Sequence, residues 1–389
     1  MPVALAAMLA SQILVSLASL VLPVLAPLVA LALGVPAYLV GFYVAILYGV
    51  AALSSLTSGG FVTRYGALRV NQACLVLVAL ALWLAAVGQV ATIGLAAAVI
   101  GLAYGPVTPA SSHILAKVTA PGQMNLVFSL KQTGVPLGNA LAGALIPGLA
   151  VAFDWRVSAI TVGIVCAALA VILQPLRGAF DGDRRPGQPV LSAARFVEPF
   201  RLVVGSKPIR LLALTSIGYS GMQVCLGAFL TSYLNRDADL SLVAAGFALS
   251  AAQFAGVGGR ILWGVIADRV APPRLVLGGL GIAMTIAALL VGGFGPSWPY
   301  AAIILVCIGF GGSAIAWNGV FFAQIARHAP PGRVGEVTGG STFFTYGGIL
   351  LAPSLFSAIL GVTGSYALGF AMLALTTLLA GLSFFRSRS

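Results

Sequence analysis

Twelve apolar runs, most of about 20 residues or longer, lie along this chain between short clusters of glycine, proline and charge. A helix rises about 1.5 Å per residue, so about 20 such residues cross the roughly 30 Å hydrocarbon layer of a bilayer. Backbone amides and carbonyls find no water there, and helices satisfy them internally. The runs fall at 4–33, 37–62, 70–90, 93–118, 123–152, 156–177, 208–234, 241–268, 273–293, 298–328, 333–360 and 364–385. Composition agrees: 60% of residues are hydrophobic and 7% charged, whereas a soluble domain carries about 25% charged residues. The reading is an all-α membrane protein. The first run lacks a basic leader and is too long for a signal peptide, so it is expected to be the first spanning helix.

One long polar segment, 178–207, follows the sixth run, so the expected domains are an N-terminal six-helix bundle (1–177), a cytoplasmic linker (178–207) and a C-terminal six-helix bundle (208–389). The 20 lysines and arginines set the orientation. With both termini cytoplasmic, sixteen of them fall in inner loops and the tail, and only Arg156 and Arg236 fall outside. The net charge of +12 is therefore a topology signal facing anionic lipid, and nucleic acid is not an expected partner. The expected location is the inner (cytoplasmic) membrane. Cys74, Cys166, Cys225 and Cys307 are scattered singly in apolar runs, and no metal or cofactor is expected.

The halves repeat. A shift of 210 positions lays Lys117, Pro121 and Gly122 on Arg327, Pro331 and Gly332, and Gly101 and Gly138 on Gly311 and Gly348. A shift of 205 lays Gly59, Arg64 and Arg69 on Gly264, Arg269 and Arg274. Two parallel six-helix repeats are the plan of rocking transporters.

The loop Gly264-Val-Ile-Ala-Asp268-Arg269-Val-Ala-Pro-Pro-Arg274 resembles the G-x-x-x-D-R-x-G-[RK]-[RK] motif of the major facilitator superfamily, with Ala271 at the usual glycine. The resemblance extends over the whole chain and implies twelve transmembrane helices in two pseudo-symmetric bundles. It also implies gating roles for Gly264, Asp268 and Arg269, with Asp268 capping helix 5 near 122–125. The first-half copy keeps Gly59 and Arg64 but has Thr63 in place of the acid. Glu336 is expected to replace it by pairing with Arg64 or Arg69; the alternative is a first-turn carboxylate serving its own helix.

Two cations remain, Lys131 and Arg260, each inside an apolar run. Each lies about 12 Å from the cytoplasmic end of its helix, and none of the eight acidic residues falls at that depth in the sequence. A charge there costs at least about 2.5–3.5 kcal/mol unless hydrated or paired. The expectation is that both belong to a substrate site for an anion, with a structural or snorkelling role as the alternative. Arg260 eight residues before Asp268 resembles helix 8 of the monocarboxylate and oxalate:formate carriers, where that arginine binds the substrate carboxylate. Tyr219, Gln223 and Asn318, from helices that line the cavity in this superfamily, are further substrate-binding candidates, as are Gln132 and Tyr346 on the gating helices. Gln12, Ser16, Tyr104, Thr108 and Trp317 are weaker cavity candidates, and His113 a possible proton relay.

The expected function is secondary active transport of small organic anions, carboxylates, by alternating access, by exchange or proton cotransport. The alternative is a proton-driven multidrug or metabolite exporter. The sequence contains no nucleophile–base set and no nucleotide loop, so no enzyme is expected. A monomer in the lipid bilayer is expected, with a small anion and possibly a proton as partners.

Overall fold

The computed structural model describes residues 1–36, 39–187, 190 and 193–386. Among these, twelve helical spans are long and apolar enough to cross a membrane. They are α1 (Pro2–Val24), α2 (Val40–Tyr65), α3 (Ala67–Ala85), α4 (Val90–Val118), α5 (Pro121–Ala152) and α6 (Trp155–Phe180). The second set is α7 (Lys207–Arg236), α8 (Val243–Arg269), α9 (Pro273–Gly292), α10 (Tyr300–His328), α11 (Val334–Thr363) and α12 (Tyr366–Arg386). All four cysteines are free and buried. Of the basic residues used for orientation, Arg388 lies outside the described residues.

Internal contacts divide the chain into two units. Unit one holds Met1–Thr119, Lys131–Ser206 and Ile325–Phe343. Unit two holds Ala120–Leu130, Lys207–Gln324 and the chain from Phe344 on. The units follow the two halves of the sequence except at two places. The first turns of α5 pack with the second half, and the junction of α10 and α11 packs with the first.

In unit one, α2 and α3 pack along α4, α6 packs on α3, and α1 packs on the second part of α5. In unit two, α9 packs on α12 and α8 on the first part of α10. The sequence repeat is a repeat of contacts. A Cβ on Gly101 would fall on the Leu47 carbonyl oxygen, and one on Gly311 would fall on that of Ala252. A Cβ on Gly138 would fall on the Ile13 carbonyl oxygen, and one on Gly348 on that of Ile217. Small residues let helix backbones touch in lipid, where apolar burial gives no preference for helix over lipid.

Three predicted runs turn out to be interrupted. The run 4–33 splits into α1 and a short helix, Ala26–Leu33. Pro27 has no N–H to give the Pro23 carbonyl, so the ladder stops between them. In α5 the helix Met124–Gln132 ends before a turn at Thr133, and Gly134–Ala152 continues. Pro136 has no N–H for the Gln132 carbonyl, which puts the break beside Lys131. In α10 the break covers 315–317. There Trp263 Nε1 donates to the Gly312 carbonyl (2.8 Å) and Arg260 Nε to the Ile315 carbonyl (2.8 Å). Side chains from α8 thus occupy carbonyls that an unbroken ladder would use. The polar segment after α6 also holds an unpredicted helix, Ala193–Gly205, within unit one. Its Val203 is fully buried, and its Pro199 carbonyl meets α11 at Gly340.

Candidate functional site

Each unit buries a polar cluster around a cation inside its spans. In unit one the centre is Lys131, 2% exposed. Its Nζ donates to Gln12 Oε1 at 2.7 Å, Gln132 Oε1 at 2.9 Å and Thr108 Oγ1 at 3.2 Å. An ammonium has three donors, and α1, α4 and α5 each supply an acceptor for one. Thr108 Oγ1 also donates to Gln12 Oε1 (3.2 Å), and Gln12 Nε2 donates to Ser16 Oγ (3.2 Å). The Gln12 amide is therefore fixed in orientation, with its oxygen toward the cation. Its stem is confined as well, because a Cβ on Gly134 would come within 2.9 Å of the Gln12 Cβ. The break of α5, placed by Pro136, is what sets this glycine against α1.

In unit two Arg260 is 1% exposed. The Ile315 carbonyl that accepts from its Nε lies 3.5 Å from Asn318 Nδ2. Gln223 Oε1 accepts from Asn318 Nδ2 (3.0 Å) and Trp317 Nε1 (3.1 Å). Tyr219 meets Trp317 edge-on at 5.7 Å, and its hydroxyl donates to the Leu277 carbonyl of α9 at 2.8 Å. The structure thus brings Tyr219, Gln223, Arg260 and Asn318 into one network at the break of α10. Gln132 belongs with Lys131 in unit one. Tyr346 is buried in unit two.

The loop-end motifs follow a different plan in each unit. In unit two Asp268 Oδ2 accepts from Leu126 N (2.8 Å), and Oδ1 accepts from Asn125 N (3.2 Å) and Asn125 Nδ2 (2.8 Å). The carboxylate sits on the exposed amides at the start of α5, where the helix dipole favours negative charge. Gln324 of α10 donates to Asn125 Oδ1 (3.1 Å), and Gly264 fits against Ser129. Arg269 is exposed.

Unit one has no acid at Thr63, and the α3 N-terminus is capped by Asp181 instead. Its Oδ1 accepts from Leu68 N (2.8 Å) and its Oδ2 from Arg69 N (3.1 Å). Burial pushes the Asp181 carboxyl above its ordinary value, against the lowering effect of these amides. Two residues on, Asp183 Oδ2 meets His113 Nε2 (2.7 Å) and Lys117 Nζ (3.0 Å). Burial pushes the Asp183 carboxyl up, but the hydrogen bonds and charges of His113 and Lys117 outweigh it and hold it below its ordinary value. Glu336 does not make the expected pair with Arg64 or Arg69. It takes Arg333, three residues earlier (2.7 Å), and Arg333 Nη2 also reaches Glu198 of the helix Ala193–Gly205 at 2.9 Å. The i,i+3 partner lies on the same helical turn, so it is the nearer cation. These two carboxylates outweigh burial and raise the Arg333 pKa. Arg64 sits beside Tyr65, its guanidinium carbon 5.4 Å from the ring centroid.

Gln12 and Thr108 read from sequence as general cavity candidates, and nothing in their spacing tied them to Lys131. Asp181 falls at the start of the polar segment 178–207. Its position just after the last turn of α6 was the only signal that it could reach α3.

The family model for the Major Facilitator Superfamily matches residues 7–353. A probable nitrate/nitrite transporter, NarK2, of Mycobacterium tuberculosis (strain ATCC 25618 / H37Rv) is 32% identical over 309 residues, 75% of this chain and 72% of that protein. The human organic anion transporter MFSD10 (TETRAN) superimposes with a TM-score of 0.77 at 18% identity, covering 98% of both chains. The E. coli fucose:proton symporter FucP superimposes with a TM-score of 0.76 at 14% identity, covering 99% of this chain and 98% of that one. One fold thus carries an anion transporter and a sugar symporter, so the substrate must be argued from side chains.

Proposed function

Since this chain belongs to the Major Facilitator Superfamily and is a multi-pass membrane transporter, we propose that it carries small anions, carboxylates foremost, by alternating access. The observation that carries the reading is the buried ammonium of Lys131, set among oxygens of Gln12, Thr108 and Gln132. These three acceptors are neutral. They take the place of water around the cation. A carboxylate reaching Nζ exchanges a neutral acceptor for one of opposite charge and adds a direct attraction between the two charges, which is stronger where water is excluded. Arg260 is the second cation of the proposal, because a planar guanidinium fork suits a carboxylate. Tyr219, Gln223, Asn318, Gln132 and Tyr346 are proposed to shape the surroundings of the substrate.

The transport cycle is proposed to be exchange or cotransport with a proton, since an anion that neutralises a buried cation lowers the free energy of closing around it. Gly264, Asp268, Arg269, Arg64 and Glu336 are the proposed gating residues. Both termini are proposed to be cytoplasmic, from the distribution of lysine and arginine, and the working form a monomer. A second reading within the same chemistry is a small inorganic oxyanion. It is favoured by the relative described as a probable nitrate/nitrite transporter.

The test is thermal stabilisation of the purified protein by mono-, di- and aromatic carboxylates, nitrate, nitrite and neutral sugars, repeated with Lys131→Ala and with Arg260→Ala. Stabilisation by one anion class, lost in both variants, is the expected result. Stabilisation by neutral or cationic compounds that survives both substitutions rejects the anion reading in favour of a drug or metabolite exporter.

A further inference from the structure

Resting on the anion reading above, we infer that Gln223 is a specificity-determining residue: its amide is held so that it offers the substrate hydrogen-bond donors only. Trp317 is its positioning residue.

Two donors lock the amide. An indole nitrogen donates and never accepts, so Trp317 Nε1, 3.1 Å from Gln223 Oε1, fixes which end of the amide faces it. Asn318 Nδ2 donates to the same oxygen at 3.0 Å. A carbonyl oxygen has two lone pairs, and both are used. The NH2 end faces away from these donors. Among the described residues it has no hydrogen-bond partner, and it is not sealed off, since Gln223 is only half-buried.

Trp317 is itself confined. It is fully buried, and its ring meets Tyr219 edge-on at 5.7 Å and Phe321 at 5.1 Å. Tyr219 is anchored in turn by its hydroxyl, which donates to the Leu277 carbonyl at 2.8 Å. Gly281 leaves room for that hydroxyl, because a Cβ there would fall on it. Tyr219 and Gln223 share one face of α7, so the anchor and the amide are carried together. Asn318 opens the helix that resumes after the break of α10, and the Ile315 carbonyl joins it to Arg260.

An amide that can turn offers a donor or an acceptor to whatever arrives. This one offers N–H groups alone. A carboxylate or other oxyanion accepts from them. An ammonium of the same shape meets donors facing donors and leaves both sides unpaired. The filter works without a further positive charge.

The experiment measures stabilisation by acetate, oxalate, benzoate and nitrate, and by benzylamine as the cationic counterpart of benzoate. It is run at about pH 8, where a glutamate side chain is ordinarily ionised, and affinities are read from ligand titrations of the melting temperature. Gln223→Glu keeps the shape and the bonds from Trp317 and Asn318 but turns a carboxylate oxygen to the substrate. It is expected to hold the unliganded melting temperature within a few degrees and to weaken anion affinity by well over tenfold. Gln223→Met removes the donors without adding charge and is expected to weaken it by roughly tenfold. Trp317→Phe keeps the ring but frees the amide. It is expected to weaken anion affinity several-fold, with no further loss when Gln223 is already Met, whereas a packing role would add its loss in both backgrounds. Wild-type anion affinity in either Gln223 variant overturns the inference, and Gln223→Glu decides alone if the Met variant does not fold. Stabilisation of wild type by benzylamine equal to that by benzoate overturns it as well. The two readings fail separately. If none of the anions stabilises wild type, or Lys131→Ala and Arg260→Ala bind them as wild type does, the anion reading is wrong. If those two variants lose binding while the Gln223 variants keep it, only the role of Gln223 is wrong.

Discussion

Asp268, at the last turn of α8, grips the first turn of α5 through Asn125, taking its backbone amide at 3.2 Å and its side-chain amide at 2.8 Å on one carboxylate oxygen. The other oxygen takes Leu126 N at 2.8 Å. Two helices distant in sequence are thereby joined by one side chain acting as an N-terminal cap.

Asp268→Asn keeps the shape but removes the charge that the helix dipole stabilises, and it cannot accept with both oxygens. A cap of this kind contributes about 0.5–2 kcal/mol. We expect a melting temperature lower by a few degrees and a several-fold fall in initial transport rate. A wild-type rate in Asp268→Asn would remove Asp268 from the gate.

Asp183 predicts an acid limb to stability. Its carboxyl is held below its ordinary value of 3.8 in the folded chain. The unfolded state therefore takes up its proton first as pH falls, and the contribution of Asp183 is present above about pH 4 and lost below it. Asp183→Asn should flatten the fall in stability on acidification below pH 4, measured by thermal unfolding in a pH series. Asp181, whose carboxyl is raised by burial, has the opposite sign: its contribution is largest when protonated and diminishes as pH rises through the folded value. Asp181→Asn should not flatten the acid limb.

Gly138→Ala and Gly348→Ala test the repeat. Each Cβ would fall on a facing carbonyl oxygen, Ile13 in one unit and Ile217 in the other. Overpacking of this sort costs about 1–3 kcal/mol. The two variants should lower the melting temperature by similar amounts. A large effect in one and none in the other would show that the two contacts are not equivalent.

Arg333 ties the helix Ala193–Gly205 to α11 through Glu198 (2.9 Å) and holds Glu336 at 2.7 Å. Glu198→Ala should raise protease cleavage and amide exchange in that helix. A double-mutant cycle of Glu198 with Arg333 should give a coupling of about 0.2–1 kcal/mol, the range for partly exposed pairs. Unchanged exchange in 193–205 would mean that the helix is held by Val203 and Pro199 instead.

The twelve spans, the repeat and the two cations inside the spans followed from the sequence because the bilayer imposes them locally. Span length is set by hydrocarbon thickness, and a charge among apolar residues stands out wherever it lies. The substitute devices did not follow. Thr63 announced that a cap was missing, but that Asp181 would cap α3 depends on where the chain travels after α6. Glu336 was matched to the distant Arg64 or Arg69, whereas Arg333 was one helical turn away. The break in α5 was written in Pro136, while the break in α10 has no proline and arises from Trp263 and Arg260 of another helix.

The sequence by itself determined that this chain is a helical membrane protein of two related halves with one buried cation in each, since hydropathy, charge and glycine spacing act within a single run of residues. Only the tertiary structure decided that Lys131 faces Gln12 and Thr108 and that Arg260 faces the Ile315 carbonyl. Those partners lie on separate helices, and a hydrogen bond of about 3 Å depends on how helices pack, which no spacing along one helix encodes.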